Sequence, residues 1–421
     1  MQLQSIDIKN FRGIDHCHLT FKPGFNLLIG ENGCGKTSFL EAIAVGMGGF
    51  ITGVANAKVE ARHFSMDEVR TVYIQQGDGG YIPTYYWPEV AMEMKLGDDV
   101  YSWTRAKKNA SARSTVTPRD ISHVAEALVY DSQSTLPVIS YQSAARVWSQ
   151  KREKRYDITR LTYNREFGYI DCLTDEASMK LMLNWCSRME QIAWQKEKPV
   201  REYEAVKQVI SNAMSKLEKH SVRIFYDKQA EELMYQFAGT TLPIASLSAG
   251  YQSLIWMCFD IAYRMAVLNP ALVDKINEAP GIVMIDELDV HLHPQWQWLV
   301  IDVLRSAFPN VQFIATTHSP LIIASAKDVW CINISDIQHT LAFQSGYGLE
   351  VQDVLQEIQQ TNELPPEIQG IVKNFYHAID TEELNQAETY LHQLEKEIGS
   401  NSPLVIKATE HLELEKSFAG D

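Results

Sequence analysis

The sequence predicts an α/β fold built on a buried parallel sheet, and three features support this class. A glycine-rich segment, 30–37, follows the short apolar run Phe25 to Ile29 and precedes a helical pattern. Two later apolar runs, 281–285 and 311–315, each end in polar side chains, as buried parallel strands do where ligands bind. The helical pattern at 295–308 supplies the crossover that parallel strands need. We therefore expect all three strands in one sheet, interrupted by a long insertion.

Further short β-strands are predicted in the first part of the chain. Residues 2–8 alternate apolar and polar side chains, and 69–76 and 89–96 do so around a glycine-rich turn. Another short strand is predicted at 138–141. These strands indicate an antiparallel β subdomain beside the parallel sheet.

Helical patterns dominate the second half of the insertion. Apolar residues recur every three or four positions from 175 to 198, where Pro199 ends the pattern, and again from 200 to 217. Neither helix is long enough for an extended coiled-coil arm. A small hairpin at 223–237 and an apolar helix at 250–267 follow.

The composition indicates a globular protein without membrane spans. Of 421 residues, 45% are hydrophobic and 22% charged, and no apolar run approaches the roughly 18 residues of a span. Asp7, Lys9 and Arg12 interrupt any signal-peptide core at the N-terminus. The six cysteines form no C-x-x-C pair, so neither a zinc site nor a disulfide framework is indicated. A reducing cytoplasm is the expected location.

The charge is distributed unevenly along the chain. The net charge of −15 argues against a wholly basic nucleic-acid binder, and the region from Glu350 onward is strongly acidic. Two stretches, 101–119 and 146–165, are basic. They indicate either a nucleic-acid face or solvated loops near a bound nucleotide.

The glycine-rich segment Gly30 to Thr37 fits G-x-x-x-x-G-K-[ST], the phosphate-binding P-loop. Its glycines let backbone N–H groups face phosphate oxygens, and the following helix points its positive end at the same anion. Lys36 is expected to contact the β- and γ-phosphates, and Thr37 to ligate Mg²⁺. The predicted ATP-binding residues are Gly30, Asn32, Gly33, Cys34, Gly35, Lys36, Thr37 and Ser38.

Two adjacent acids, Asp286 and Glu287, end the apolar run 281–285. Asp286 is expected to hold Mg²⁺, and Glu287 to orient and polarise the attacking water as general base. The histidines that follow, His291 and His293, suggest a metal cluster only weakly.

Two more segments carry chemistry. The signature, Leu247 to Gln252, opens the helix at 250–267 and resembles the LSGGQ motif of ABC ATPases, with Ala249 third and Tyr251 fifth. The histidine segment, Thr316 to Pro320, follows the buried run 311–315. In the signature, Ser248, Gly250 and the N-terminus of the helix that follows form a site suited to binding an anion.

P-loop, signature, acidic pair and histidine segment occur in the order of ABC ATPases, and the chain resembles their SMC-like or RecF-like branch. The phrase Ile8 to Ile14 is similar to the opening strand of that branch and of OLD ATPases. The stretches Asp286 to Gln297 and Thr316 to Pro320 are most similar to bacterial antiviral defence ATPases, including Septu-type and retron-associated ones.

This resemblance implies a role for further residues. His318 corresponds to a switch histidine that contacts the γ-phosphate, with Lys36 and Glu287 as its catalytic partners. The D-loop, Leu288 to Pro294, would place Asp289 against a partner subunit. Gln142 is the choice for the Q-loop glutamine near Mg²⁺, with Gln75 and Gln76 as rivals. The remaining residues expected at the nucleotide are Arg12, Ser248, Ala249, Gly250 and Gln252.

The resemblance also implies an organisation and partners. We expect an SMC-like head with a P-loop core sheet, an antiparallel β subdomain and an inserted helical subdomain. ATP would join two copies head to tail, or build a higher oligomer. No nuclease constellation is evident after the histidine segment, so a separate nuclease effector is expected, and DNA is a candidate ligand. Recombination or repair and a transporter's ATPase subunit are the alternative functions. The predicted domains are 1–140 (N-terminal lobe), 141–240 (inserted helices), 241–345 (C-terminal lobe) and 346–421 (acidic helical region).

Overall fold

The computed structural model describes residues 1–31, 33–54, 56, 59–75, 80–145, 164–174, 179–335, 340–359 and 364–419. It divides into two compact units, Met1–Gly348 and Leu349–Asp421. The strands of the described residues are β1 (Gln2–Phe11), β2 (Ile14–Thr20), β3 (Phe25–Ile29), β4 (Arg70–Gln75), β5 (Tyr81–Tyr86), β6 (Glu89–Leu96), β7 (Asp99–Ala106), β8 (Thr115–Thr117), β9 (Val138–Gln142), β10 (Val222–Asp227), β11 (Glu232–Phe237), β12 (Thr240–Pro243), β13 (Gly281–Ile285), β14 (Val311–Thr317), β15 (Trp330–Asn333) and β16 (Leu341–Gln344).

Helices join and cover these strands. Those of the described residues are α1 (Lys36–Ile51), α2 (Asp120–Tyr130), α3 (Met179–Lys196), α4 (Arg201–Glu218), α5 (Ala249–Leu268), α6 (Pro294–Gln297), α7 (Val300–Ala307), α8 (Pro320–Ser325), α9 (Val351–Asp353), α10 (Pro366–Asp380), α11 (Leu384–Ile398) and α12 (Pro403–Ala419). In the described part of the chain, no helix combines the length and apolar character that crossing a membrane requires.

A six-stranded sheet forms the centre of the first unit, in the order β16-β15-β3-β14-β13-β9. Neighbouring strands pair in parallel except β16, which is antiparallel to β15. Every residue of β3, β9, β13 and β14 is buried, which explains their largely apolar sequences without alternation. Ile285 pairs with both Gln142 and Ala315, and Thr317 pairs with Ile29, so the strands' carboxyl ends form one edge.

A second, antiparallel sheet has the order β2-β1-β6-β7-β8, and α1 packs against it. Helix α1 is apolar and buried around most of its circumference, as expected for a helix enclosed by two sheets. Its glycines permit that closeness, since a Cβ on Gly49 would stand 2.4 Å from Nε1 of Trp103.

The sequence prediction for 69–96 is partly wrong. Strands form at both predicted places, β4 and β6, but the unpredicted β5 lies between them and pairs with β4 in a separate two-stranded ribbon. The sequence of β5, which contains Pro83, lacks the apolar alternation of a half-buried strand, because nearly all of its residues are exposed.

The inserted helices and the hairpin are found. Helices α3 and α4 follow the predicted periodicity, and β10 and β11 form the hairpin, which β12 extends to three strands. The region predicted as helical, 141–240, therefore also contains a small sheet.

The second unit is helical and has a core of its own. Helices α10, α11 and α12 bury Phe375, Ala387, Leu391 and Leu412 among themselves. This unit begins at Leu349, close to the predicted boundary at 345/346.

Candidate active site

The polar ends of β3, β13 and β14 meet at one edge of the central sheet. The loop after β3 turns into α1 through Gly33 and Gly35, whose φ angles of 84° and 92° lie in the left-handed region. That backbone conformation favours glycine, which explains both residues of the P-loop pattern. Helix α1 then starts at Lys36, so its unsatisfied N–H groups collect beside the loop.

The Lys36 ammonium lies inside this loop. Its side chain is 6% exposed, and Nζ donates to the carbonyl oxygens of Gly30 at 2.8 Å and Glu31 at 2.7 Å. Nδ1 of His318 lies 3.4 Å from the same nitrogen. Burial lowers the pKa of Lys36, and Cys34, followed by the carboxylates of Asp286 and Glu287, opposes that shift. A cation and a helix N-terminus therefore converge, which is an anion-binding arrangement.

Asp286, which follows β13, is hydrogen-bonded to both α1 and β14. Its Oδ2 accepts from the Thr37 hydroxyl at 2.9 Å, and its Oδ1 accepts from the Thr316 hydroxyl at 2.8 Å. The Asp286 N–H donates to the carbonyl of Gln142 at 2.8 Å. A carboxylate beside a hydroxyl is an oxygen donor set of the kind that Mg²⁺ prefers. The side-chain oxygens of Thr37 and Asp286 are therefore suitable ligands for Mg²⁺.

Glu287 follows at a sharp turn. Its φ of 48° is unusual for a residue with a side chain and marks the chain leaving the sheet. The Glu287 N–H donates to Oγ1 of Thr316 at 2.7 Å. Thr316 thus connects both acids through one hydroxyl, a role that the sequence analysis did not assign. The signal for it was a polar residue at the end of an otherwise apolar strand.

Asp289 binds the histidine segment of its own chain. Its Oδ1 accepts from the Thr317 hydroxyl at 2.5 Å and from the His318 N–H at 3.1 Å. Burial and the neighbouring Lys36 lower the pKa of His318, which favours the neutral imidazole. The contacts of Asp289 with a partner subunit and of His318 with a γ-phosphate stay predictions.

The signature opens α5 as predicted, with Ser248 as the residue before the helix. Gly250 lies against the D-loop, since a Cβ there would stand 2.4 Å from the carbonyl oxygen of His291. Gln252 donates to the carbonyl oxygens of Leu247 at 2.7 Å and Ala245 at 3.1 Å, and so fixes the turn before the helix. The signature is therefore held against the D-loop within one chain.

Gln142 lies at the predicted strand end, but its side chain has other partners. Its Nε2 donates to Asp260 Oδ2 and to Ser140 Oγ, both at 2.7 Å. Because Gln142 pairs with Ile285, strand alternation places its side chain on the opposite face from Asp286. The metal role predicted for Gln142 would need that side chain to turn, and it stays a prediction. Its rival Gln75 ends the exposed β4.

Arg12 is bound to α1. Its Nη1 lies 2.7 Å from Glu41 Oε2, and its Nη2 lies 3.6 Å from Asp67 Oδ2. Arg12 is therefore already ion-paired within the chain, and its contact with the nucleotide stays a prediction.

Of the other predicted residues, Cys34 is partly exposed, while Asn32, Gln76 and the basic positions 146–163 lie outside the described residues.

The basic stretch 101–119 is not simply a solvated loop. Arg105 is 0% exposed and its Nη2 lies 3.2 Å from Nδ1 of His63, while buried Lys107 donates to the carbonyl oxygen of Ala112 at 2.9 Å. The suggested histidine metal cluster gains no support, because the described residues contain no group of three or more His, Cys, Asp or Glu side chains placed to hold a metal ion together. His293 instead caps α6.

Comparison with protein families matches an AAA domain model to residues 5–218 and an AAA ATPase domain model to residues 128–323. The described fold resembles a solved SMC head bound to the C-winged helix domain of ScpA, with a TM-score of 0.50 and 17% identity. That alignment covers 82% of this chain and 98% of the SMC head.

Curated relatives resemble the chain over different lengths. The Retron Ec83 probable ATPase of Escherichia coli is 23% identical over 87% of this chain and 78% of its own length. A Septu protein PtuA of Bacillus thuringiensis is 22% identical over 96% of this chain and 95% of its own. The Retron Vc95 probable ATPase of Vibrio cholerae is 38% identical, but over only 32% of this chain and 28% of its own length. The chain belongs to the AAA domain family, has a fold like that of an SMC head, and is similar in sequence to the retron and Septu ATPases.

Proposed function

We propose that this chain binds ATP with Mg²⁺ and hydrolyses it at the edge of the central sheet. The observation that carries the proposal is the convergence of three strand ends. It hydrogen-bonds Asp286 to both Thr37 and Thr316, and it places the Lys36 ammonium 3.4 Å from Nδ1 of His318. P-loop amides and a buried ammonium suit a triphosphate, and carboxylate and hydroxyl oxygens suit its metal.

Each residue has a distinct task in this mechanism. Lys36 and the α1 N-terminus hold the β- and γ-phosphate oxygens, and Thr37 and Asp286 hold the ion. Bound Mg²⁺ would neutralise charge that develops on the phosphates. Glu287 orients the attacking water and accepts its proton, while His318 donates a hydrogen bond to the γ-phosphate in its neutral form.

We further infer that a second copy completes the site. The signature presents Ser248, an exposed serine, at the N-terminus of the long helix α5, where an anion is favoured. In a head-to-tail pair, each signature would face the ATP held by the other chain's P-loop. Two identical composite sites then follow from two-fold symmetry, and ATP stabilises the dimer by binding it preferentially.

The relatives suggest the biological setting. We propose a cytoplasmic, nucleotide-dependent regulator of bacterial antiviral defence that controls a separately encoded nuclease. Retron and Septu ATPases similar over most of this chain support the setting. The strongly acidic second unit offers a surface for a basic protein partner, and DNA is a candidate trigger.

Complementation between damaged chains tests the composite site. Lys36→Ala should abolish ATP binding to its own P-loop, and Ser248→Arg should block the signature. A mixed dimer of the two variants has one doubly damaged site and one intact site, so part of the ATPase activity should return. Purified mixed dimers without activity would contradict the composite site. Glu287→Gln should bind ATP without hydrolysing it, and wild-type turnover by that variant would exclude Glu287 as the base.

The regulatory role needs a measurement on the partner. We expect the nuclease to bind one nucleotide state better than another, because a ligand shifts an equilibrium only by its differential affinity. Partner affinity and DNA cleavage would be compared with ATP, with ADP and without nucleotide, using Glu287→Gln to hold the ATP state. Equal values in all three conditions would exclude the switch.

Recombination or repair is the second candidate function. A 43-residue stretch, 10% of this chain, is 56% identical to the DNA replication and repair protein RecF of Salmonella typhi. ATPase stimulation by DNA in the absence of any protein partner would favour this function over control of a nuclease.

A further inference from the structure

The end of helix α4 is fixed to the ATPase core at two points. Lys216 donates from Nζ to the Asp302 carbonyl oxygen at 3.0 Å and to Ser306 Oγ at 3.1 Å. Glu218, the last residue of the helix, accepts hydrogen bonds from two tyrosine hydroxyls, those of Tyr251 and Tyr235, the latter at 3.4 Å. We call α3, α4 and the β10-β11-β12 sheet the arm.

Tyr251 connects the signature with the arm through its side chain. It is the fifth signature residue and lies in the first turn of α5, three positions after Ser248. Its ring centroid is 4.4 Å from that of Trp296 in α6, at 70°, and 5.7 Å from that of Tyr235 in β11, at 82°. These edge-to-face contacts add specific orientation to the apolar burial.

Tyr251 is the donor in the hydrogen bond to Glu218. Burial and the neighbouring carboxylate raise the pKa of Tyr251 to about 12, so the phenol keeps its proton and donates. A hydroxyl that donates to a carboxylate forms one of the stronger classes of protein hydrogen bond.

The same contacts continue to the D-loop and the histidine segment. Trp296 precedes Gln297, whose Nε2 donates to the Leu292 carbonyl oxygen at 2.9 Å and whose Oε1 accepts from Ser319 Oγ at 2.7 Å. Gly250 lies directly against the backbone of His291. Tyr251 therefore contacts both the arm and the elements that frame the catalytic acids.

We propose that Glu218 and Tyr251 are a positioning pair, which sets the signature against the D-loop and makes ATP hydrolysis depend on the arm. Neither side chain touches ATP in this proposal; they act by fixing where Ser248 stands. The proposal rests on the composite site proposed above and names a regulator of it. A partner that moves the arm would thereby change turnover in the site that the signature completes.

Removing the hydroxyl alone tests the pair. We expect Tyr251→Phe to lower kcat by about tenfold, the size of losing a hydrogen bond to a charged group, with the affinity for ATP nearly unchanged. Glu218→Ala should have a similar effect, while Glu218→Gln keeps an acceptor oxygen and most of the activity. Tyr101→Phe is the matched control, because it also removes a tyrosine hydroxyl that lies near a carboxylate, 3.5 Å from Asp99. Both residues belong to β7 of the five-stranded antiparallel sheet, outside the signature and the arm. Wild-type kcat in Tyr251→Phe or in Glu218→Ala would overturn the proposal.

Mixed dimers separate positioning from a general structural defect. When one chain carries Lys36→Ala, the remaining active site uses the intact P-loop of one chain and the signature of the Lys36→Ala chain. Tyr251→Phe should lower turnover when placed on the Lys36→Ala chain and leave it unchanged on the other. Equal loss in both arrangements would overturn the positioning role. Loss of turnover only when Tyr251→Phe is on the chain with the intact P-loop would mean that the signature serves the site of its own chain. The composite site itself would then be wrong, which is a different failure.

Discussion

The Thr37 hydroxyl lies 2.9 Å from Oδ2 of Asp286, although 249 positions separate the two residues in sequence. One comes from the start of α1 and the other from the end of β13. Thr316 approaches the same carboxylate from β14. The acidic pair is thus held from both sides by hydroxyl groups on different elements, so its geometry depends on the register of the sheet.

Thr316→Val should impair catalysis more than folding. Valine has nearly the same shape, but it removes the hydroxyl that donates to Asp286 and accepts from the Glu287 N–H. We expect kcat to fall by about 10–100-fold, as for other groups that orient metal-binding residues, with Thr316→Ser largely active. Steady-state ATPase assays with Mg²⁺ test this. Equal activity of the valine and serine variants would show that the hydroxyl does not orient the acids.

The strand ends could be predicted because continuous burial leaves a simple sequence pattern. An apolar run that stops abruptly at Asp286 or Thr316 indicates both a buried strand and the edge at which it ends. The spacing of the glycines likewise identified the P-loop, because Gly33 and Gly35 adopt a left-handed backbone conformation that favours glycine.

Pairing and side-chain direction could not be predicted in the same way. The sequence places Gln142 at a strand end, but only its register with Ile285 shows which face its side chain takes. The basic character of 101–119 gave no sign that Arg105 is buried, because that depends on contacts made after the sheet packs on α1. The predicted helix at 295–308 is broken between α6 and α7, although no glycine or proline lies at the break to indicate it.

Asp260→Ala should destabilise the first unit strongly. The Asp260 carboxylate accepts from Arg264 Nε at 2.9 Å, from Ser140 Oγ at 2.7 Å and from Gln142 Nε2 at 2.7 Å. Its removal leaves a buried guanidinium without its ion pair, which costs roughly 3–5 kcal/mol of the free energy of unfolding.

Urea unfolding followed by tryptophan fluorescence measures that loss. The double variant Asp260→Ala/Arg264→Met is the control, because it removes both charges and should recover part of the stability. A loss smaller than about 1 kcal/mol in the single variant, typical of an exposed pair, would contradict the buried network.

Stability should also depend on pH through His63. Partial desolvation and the cations Arg105, Arg113 and Lys107 lower the pKa of His63 below its ordinary 6.5, while Glu60 opposes this. Between the lowered pKa and 6.5, the unfolded chain binds more protons than the folded chain, so stability falls as pH decreases through this window. Above 6.5, both states are neutral at this residue and the contribution disappears.

His63→Gln should remove this part of the pH dependence. Glutamine keeps an acceptor for the Arg105 guanidinium, which lies 3.2 Å from Nδ1 in the native chain, but it cannot be protonated. Thermal unfolding of wild type and variant would be compared at several pH values from about 7.5 down to 5.5, a range that spans the ordinary histidine pKa. The Tm of the wild type should decline more steeply than that of the variant as the solution is acidified. Parallel declines would mean that His63 titrates alike in the folded and unfolded chains, and that the cations around Arg105 do not act on it.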